Sequence, residues 1–325
     1  MKKGKYIVVG IALILISTLL IAKWQRSNKI VTTPEMKTVK ISYIPATCDL
    51  VNFIAYQQGY YKNEGLNVEL TKFETSNQVS DALLAGRIDV SGCFAYPVAF
   101  SIEANQSDTL RSIRSIITSS EYPFLWLVAS AKDQSIKSLK DLSGKKVGRF
   151  PGSTTEVQLK HALKSVGVNP NTVSMLAITA SQQINALASG AIDALYALEP
   201  IPTIAKEQGV GRTVESIEKY LVEPNYNALY AVTNKYYKEN KDTVEKVIKA
   251  QDRAVDYLRK NPSQAKQVLL SYTPLSTSTA LNVGVGYPLR STEQTDFIKL
   301  QAYADLLFNA GDLQIKIDVK KMFAN

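Results

Sequence analysis

"ISYIPATCD" at residues 41–49 and "VGRFPGSTT" at residues 147–155 decide the fold. Each is an apolar run that turns at a proline, Pro45 or Pro151, then meets a small residue and hydroxyl-bearing residues. Other pairs repeat at a similar offset of about a hundred residues. "ALLAGRIDV" (82–90) matches "ALASGAIDA" (186–194), and "FAYP" (94–97) falls beside "ALEP" (197–200). That period is far too long for a solenoid. It marks two units with the same early topology in one chain.

Working outward, short apolar runs alternate with helical stretches. Strands are expected at 39–44, 66–73, 88–93 and 110–118, with helices at 50–59, 77–86 and 97–105. The pattern restarts with strands at 145–150, 173–178 and 192–197 and helices at 155–167, 181–190 and 202–209. Such alternation predicts βαβ units and a parallel sheet in each unit. "FLWLVAS" (124–130) and "ALYAVTN" (228–234) are read as two strands that cross between the units. The expected lobes are then 38–127 with 231–325, and 128–230. The remainder is mostly helical. Val244, Val247, Ile248, Gln251, Val255 and Leu258 share one stripe, and a last amphipathic helix covers 295–311. In open α/β sheets a ligand sits beyond the carboxyl ends of the strands. The two corners are therefore expected on opposite walls of one cleft.

A chain of 325 residues can bury two cores, and 45% hydrophobic with 21% charged residues is ordinary for a globular protein. The net charge of +9 does not indicate nucleic acid. Residues 1–38 carry seven Lys or Arg against Glu35, so most of the excess lies in the leader. That leader has a basic start and an uncharged apolar run from Ile7 to Ala22. It reads as a secretion signal or a retained anchor. The run shows no A-x-A site and no cysteine near its end, so retention is preferred, with residues 27–38 as a tether. Either way the chain works outside the cytoplasm.

At the second corner Ser153 and Glu156 are spaced as a capping box. The amides of Thr154 and Thr155 would be free to meet an anion at a helix end, and Gly152 would admit a ligand close to the backbone. Thr47 is the matching cap at the first corner, with Asp49 in the first turn. Aromatic residues crowd these edges, and Tyr43, Tyr96 and Tyr196 end strands there, with Phe94 beside them. Glu199 could accept a hydrogen bond from a ligand, and Arg149 could pair an anion or face solvent. His161 is the only histidine and lies mid-helix. There is no His/Cys cluster with metal spacing, no nucleophile elbow and no phosphate loop. The reading is a binding protein without catalytic residues, metal or cofactor. Cys48 and Cys93 could form a disulfide, but two small buried hydrophobes are the preferred reading.

"GYYKNEGLNVEL" (59–70), "ALLAGRIDVSG" (82–92), "SLKDLSGKKVG" (138–148) and "ALASGAIDALYALEP" (186–200) occur in this order. With them the chain resembles the substrate-binding proteins of ABC importers for nitrate, taurine, aliphatic sulfonates and thiamine-pyrimidine precursors. The resemblance spans residues 39 to about 270. It implies the type II periplasmic-binding-protein fold, hinged capture by a monomer and a membrane permease with its ATPase as partner. It also implies ligand contacts at Thr47, Cys48 and Asp49, at 95–97, at 152–155 and at Glu199-Pro200. A small organic anion is the first expected ligand and a nitrogen heterocycle the second. The alternatives are the related pyrimidine-synthesising enzymes, which need iron ligands and histidines, and a membrane-tethered sensor.

Overall fold

The computed structural model describes residues 36–151 and 153–323. The expected leader and Gly152 lie outside the described residues. Among the described residues no helix is long and apolar enough to cross a membrane.

Strands β1 (Lys37–Tyr43) and β2 (Leu66–Lys72) pair in parallel. The chain then makes a parallel bridge from Val90 to Ile41, followed by β3 (Phe94–Ala95) and β4 (Leu110–Thr118). It passes through residues 119–124 into a second sheet. That sheet holds β5 (Leu125–Ser130), β6 (Lys146–Arg149), β7 (Ser174–Ala177), β8 (Ala194–Leu198) and β9 (Gly211–Ser216). Their order is β7-β6-β8-β5-β9. The chain returns through residues 217–224 to β10 (Asn225–Thr233) and β11 (Tyr287–Arg290), which extend the first sheet as β11-β4-β10-β3. The Ser91 amide donates to the Ala231 carbonyl at 2.8 Å and ties β1 and β2 to this group. The chain thus builds one group of strands, enters a second and returns to the first.

The sheets are apolar on both faces because helices cover both. Along β10, Ala228, Tyr230 and Val232 enter one core cluster, while Tyr226, Leu229 and Ala231 enter another. In the second lobe, Ala194 and Tyr196 of β8 face one cluster while Leu195 and Ala197 face its opposite. The period-2 geometry of a strand divides a continuous apolar run between two cores. The stripe on the helix Lys241–Lys260 closes the first lobe, with Val244, Val247, Ile248, Gln251 and Val255 buried and Leu258 partly so.

Three expectations need correction. The sheets are mixed rather than wholly parallel, since β10 pairs antiparallel with β3 and β4, and β5 with β8 and β9, where the chain crosses between the two strand groups. Residues 88–93 form only the bridge at Val90, and the strand itself is Phe94–Ala95. The reason is Gly92, where a Cβ would sit 2.3 Å from the Ser42 carbonyl oxygen and 2.4 Å from Asp49 Oδ1. The backbone there packs into the first corner instead of extending a ladder. The segments 124–130 and 228–234 do hold strands, but each strand lies within one sheet. The passages between lobes are the irregular segments 119–124 and 217–224. Glu218 secures one of them, accepting the amides of Phe124 and Leu125 at 2.6 Å each.

Candidate functional site at the two corners

The first corner follows β1. A single 3₁₀ turn (Thr47–Asp49) leads into the helix Leu50–Gln57. Asp49 is fully buried and organises the turn. Its carboxylate accepts the amides of Ile44 (2.8 Å) and Cys93 (2.9 Å) and Asn52 Nδ2 (3.1 Å). Burial pushes its pKa up to about 7, and those bonds pull in the opposite direction. The carboxylate is therefore spent on the corner itself. Thr47 is expected as a cap, yet its hydroxyl is buried and has no hydrogen-bond partner among the described residues. An unpaired buried hydroxyl costs about 1–3 kcal/mol, so a ligand that supplied a partner would recover that cost.

Cys48 and Cys93 form a disulfide with their Cα atoms 5.9 Å apart. This corrects the preferred reading of two free thiols. Spacing along the chain hid the pairing, which exists because the bridge at Val90 lays residues 88–95 beside the end of β1. The Tyr230 hydroxyl donates to the Cys48 carbonyl at 2.6 Å and fixes the same turn from β10. Tyr43 packs edge-on against Phe53 (5.3 Å) and Tyr272 (6.0 Å), while Phe53 and Tyr272 stack with centroids 4.2 Å apart.

Behind the corner runs a buried polar chain that sequence reading did not assemble. Asn52 Oδ1 accepts Tyr61 OH (2.8 Å) and Gln251 Nε2 (3.0 Å). Gln251 Oε1 accepts Arg114 Nε (3.1 Å), and Arg114 pairs with Asp252 at 2.6 Å. The signal was Gln251, a polar residue inside an apolar helical stripe.

The second corner follows β6 and opens the helix Ser153–Ser165. Ser153 is the first helical residue rather than the residue preceding the helix, and the side chains of Ser153 and Thr154 lie outside the described residues. The Thr155 hydroxyl donates to the Phe150 carbonyl at 2.6 Å and closes the turn over Pro151. Glu156 does not look outward. It binds Arg149 and also Lys160, at 2.6 Å from the latter. Arg149, expected to pair an anion or face solvent, is buried and held by Glu156.

Phe94, Tyr96 and Tyr196 are fully enclosed, so the structure places them in packed core at the strand ends rather than on an open wall. Tyr96 OH shares a hydrogen bond with Ser115 Oγ (2.6 Å), and its ring meets Tyr226 edge-on at 5.7 Å. Tyr196 OH donates to Gln158 Oε1 at 2.8 Å. Gln158 Nε2 then donates across the lobes to Tyr303 OH at 3.2 Å. Val157 of the second corner's helix and Ile44 of the first corner pack against the same apolar cluster. The two corners thus converge on one region.

Glu199, at the end of β8, is 8% exposed. Its Oε2 accepts the Thr203 hydroxyl (2.8 Å) and amide (3.4 Å). Burial raises its pKa to about 7, with Thr203, the Gly284 amide and Lys266 acting the other way. Lys266 comes from the first lobe, and burial lowers its own pKa. Gly284 is another residue the sequence did not announce. A Cβ there would lie 2.5 Å from the Pro123 carbonyl oxygen and 3.2 Å from Glu199 Cγ. Only glycine lets this first-lobe loop reach the inter-lobe passage and Glu199 together.

Comparison with known proteins gives three findings beside a family match. The family model described as "NMT1/THI5 like" matches residues 50–265. A Brucella abortus (strain 2308) protein, named for binding with no ligand stated, is 23% identical over 284 residues, covering 84% of this chain and 85% of its own. A Saccharomyces cerevisiae 4-amino-5-hydroxymethyl-2-methylpyrimidine phosphate synthase is 23% identical over 255 residues, covering 74% of this chain and 73% of its own. The crystal structure of the periplasmic aliphatic sulphonate binding protein of Escherichia coli superposes with a TM-score of 0.74 at 18% identity, covering 88% of this chain and 97% of that one. The last likeness establishes the periplasmic-binding-protein fold.

Proposed function

The chain belongs to the NMT1/THI5-like family, and from that premise we propose that it is an extracytoplasmic solute-binding protein. It captures a small ligand between two lobes, one built from residues 37–118 with 225–323 and the other from 125–216, and delivers it to an ABC importer permease. The observation that carries this reading is the pair of matched corners, each beyond the carboxyl end of a parallel strand, converging from two sheets on one apolar cluster. Each lobe supplies half the contacts, so only the closed form satisfies the ligand fully. That difference in affinity shifts the population toward closure. The E. coli sulphonate-binding relative in fold supports the transport role. The leader, read as an anchor, would hold the protein at the outer membrane face.

For the ligand we favour a nitrogen heterocycle over an organic anion, the reverse of the order expected from sequence. Arg149 is committed to Glu156, while Thr47 offers an unpaired hydroxyl and Glu199 an acceptor beside the inter-lobe loop. Tyr43, Thr47 and the Cys48–Asp49 turn form the first half-site. Residues 152–155 and Glu199 form the second, with Phe94 and Tyr96 enclosed in the first lobe and Tyr196 in the second. A thermal-shift screen of sulfonates, nitrate, pyrimidines, amines and aromatic acids tests this, since a ligand specific to the folded form raises the melting temperature. A pyrimidine hit lost in Glu199→Gln supports the assignment, and a sulfonate hit indifferent to Glu199 reverses it. The yeast synthase motivates the second reading, an enzyme. Bound iron or product formation from any hit would establish that reading and remove ours.

A further inference from the structure

The amino-end edge of the first lobe carries a cavity of about 390 Å³ that the cleft does not explain. It lies at the far end of β4 from the cleft. Thr118 pairs with Asn225 beside the inter-lobe passages, whereas Leu110 pairs with Thr233 at the opposite edge. Arg111, in the cavity wall, is therefore roughly 20 Å along the strand from Thr118. The volume falls within the usual range for small-molecule sites.

Its charge is unbalanced in a specific way. Arg111, Lys320 and Lys321 line the cavity, and among the described residues none of the three pairs with a carboxylate. The Arg111 guanidinium lies over the Tyr237 ring at 4.5 Å, and its Nε is buried without a hydrogen-bond partner among the described residues. The two acidic groups present are already engaged. Asp108 accepts Asn234 Nδ2 and lies 3.9 Å from Lys238. Asp318 accepts the Lys320 amide at 3.1 Å as the cap of its own turn. Ser107 adds a hydroxyl and Phe323 an apolar wall.

We propose that this cavity is a second ligand site, for an organic phosphate. Three cations unpaired with carboxylates match the several acceptor oxygens of a phosphate ester, mono- or dianionic, better than a carboxylate, and an Arg fork binds phosphate oxygens in bidentate fashion. Phe323 would cover the organic body. The source is either a soluble phosphate ester or the headgroup of an anionic lipid. Position is compatible with the lipid. β1 starts at this same edge, where Lys37 Nζ donates to Asn240 Oδ1 at 2.6 Å. Asn240 directly follows the short helix Asn234–Glu239, which holds Asp108 through Asn234 and Arg111 through Tyr237.

The test uses the full chain, titrated with glycerol 3-phosphate by calorimetry and co-sedimented with phosphatidylcholine vesicles with and without phosphatidylglycerol. Lys320→Ala/Lys321→Ala removes two exposed charges without touching the core, and Arg111→Gln removes the third. The expected result is binding in at least one arm that each variant weakens about tenfold or more, with an unchanged melting temperature. Saturable binding of the soluble ester identifies a free solute. A phosphatidylglycerol preference lost in the variants identifies the lipid. Absence of binding in both arms, or variants that bind as the wild type does, overturns the proposal.

Discussion

Replacing Cys48 and Cys93 by alanine removes the staple between the turn after β1 and the strand segment at Phe94. The cysteines are 45 residues apart in sequence. Closing a loop of that length in the unfolded chain removes entropy worth about 4 kcal/mol at 25 °C. In a folded unit of this size that corresponds to a fall of roughly 6 °C in melting temperature. The loss should not end there. The Cys93 amide donates to Asp49, whose carboxylate also holds Ile44 and Asn52, so the staple and the buried carboxylate restrain one turn. Urea denaturation of the oxidised wild type and the double variant reads the first effect. The thermal shift produced by a cleft ligand reads the second. A stability difference below about 1 kcal/mol would refute the entropic reasoning. An unchanged ligand shift would refute the claim that the staple shapes the half-site.

Three further outcomes follow from the same packing. Gly92→Ala should destabilise by about 2–3 kcal/mol, because its Cβ would meet a backbone oxygen and a held carboxylate rather than a flexible side chain, and chemical denaturation measures this. Gln251→Met should cost about 2–4 kcal/mol by taking one buried partner each from Asn52 Oδ1 and Arg114 Nε, again read by denaturation. Glu199 has a folded pKa near 7 against an ordinary 4.5, so its contribution is complete below about pH 4.5 and is lost as pH rises through 7. A stability–pH profile should therefore decline across that window by roughly 3 kcal/mol from this group. Glu199→Gln should flatten the profile in part, leaving the share of Asp49, which titrates over a similar range. An unaltered slope would count against burial as the cause.

Much of the architecture was legible because strands covered on both faces show continuous apolar runs, and the duplicated corners repeat in sequence. The stripe on Lys241–Lys260 was readable residue by residue for the same reason. What the sequence hid was non-local. The disulfide, the chain from Asp49 through Asn52 and Gln251 to Arg114, and the reach of Gly284 to Glu199 all join residues far apart along the chain. The commitment of Arg149 to Glu156 was closer to hand, seven positions along, but a charged pair around a proline turn has no periodic signature. Tyr96 and Tyr196 lie at strand ends, yet Tyr96 is enclosed in a cluster completed by residues 300–323, and Tyr196 by the core of its own lobe, neither of which the local sequence shows.

The return of the chain through residues 217–224 also sets a timetable for synthesis. β10 is the strand that β3 and β4 both need as a neighbour, and it begins only at Asn225. A ribosome making this protein therefore releases the opening third as a half-built sheet with bare hydrogen-bonding rims, while the contiguous inserted lobe can mature first. The earliest-made portion of the polypeptide is thus the last to become compact.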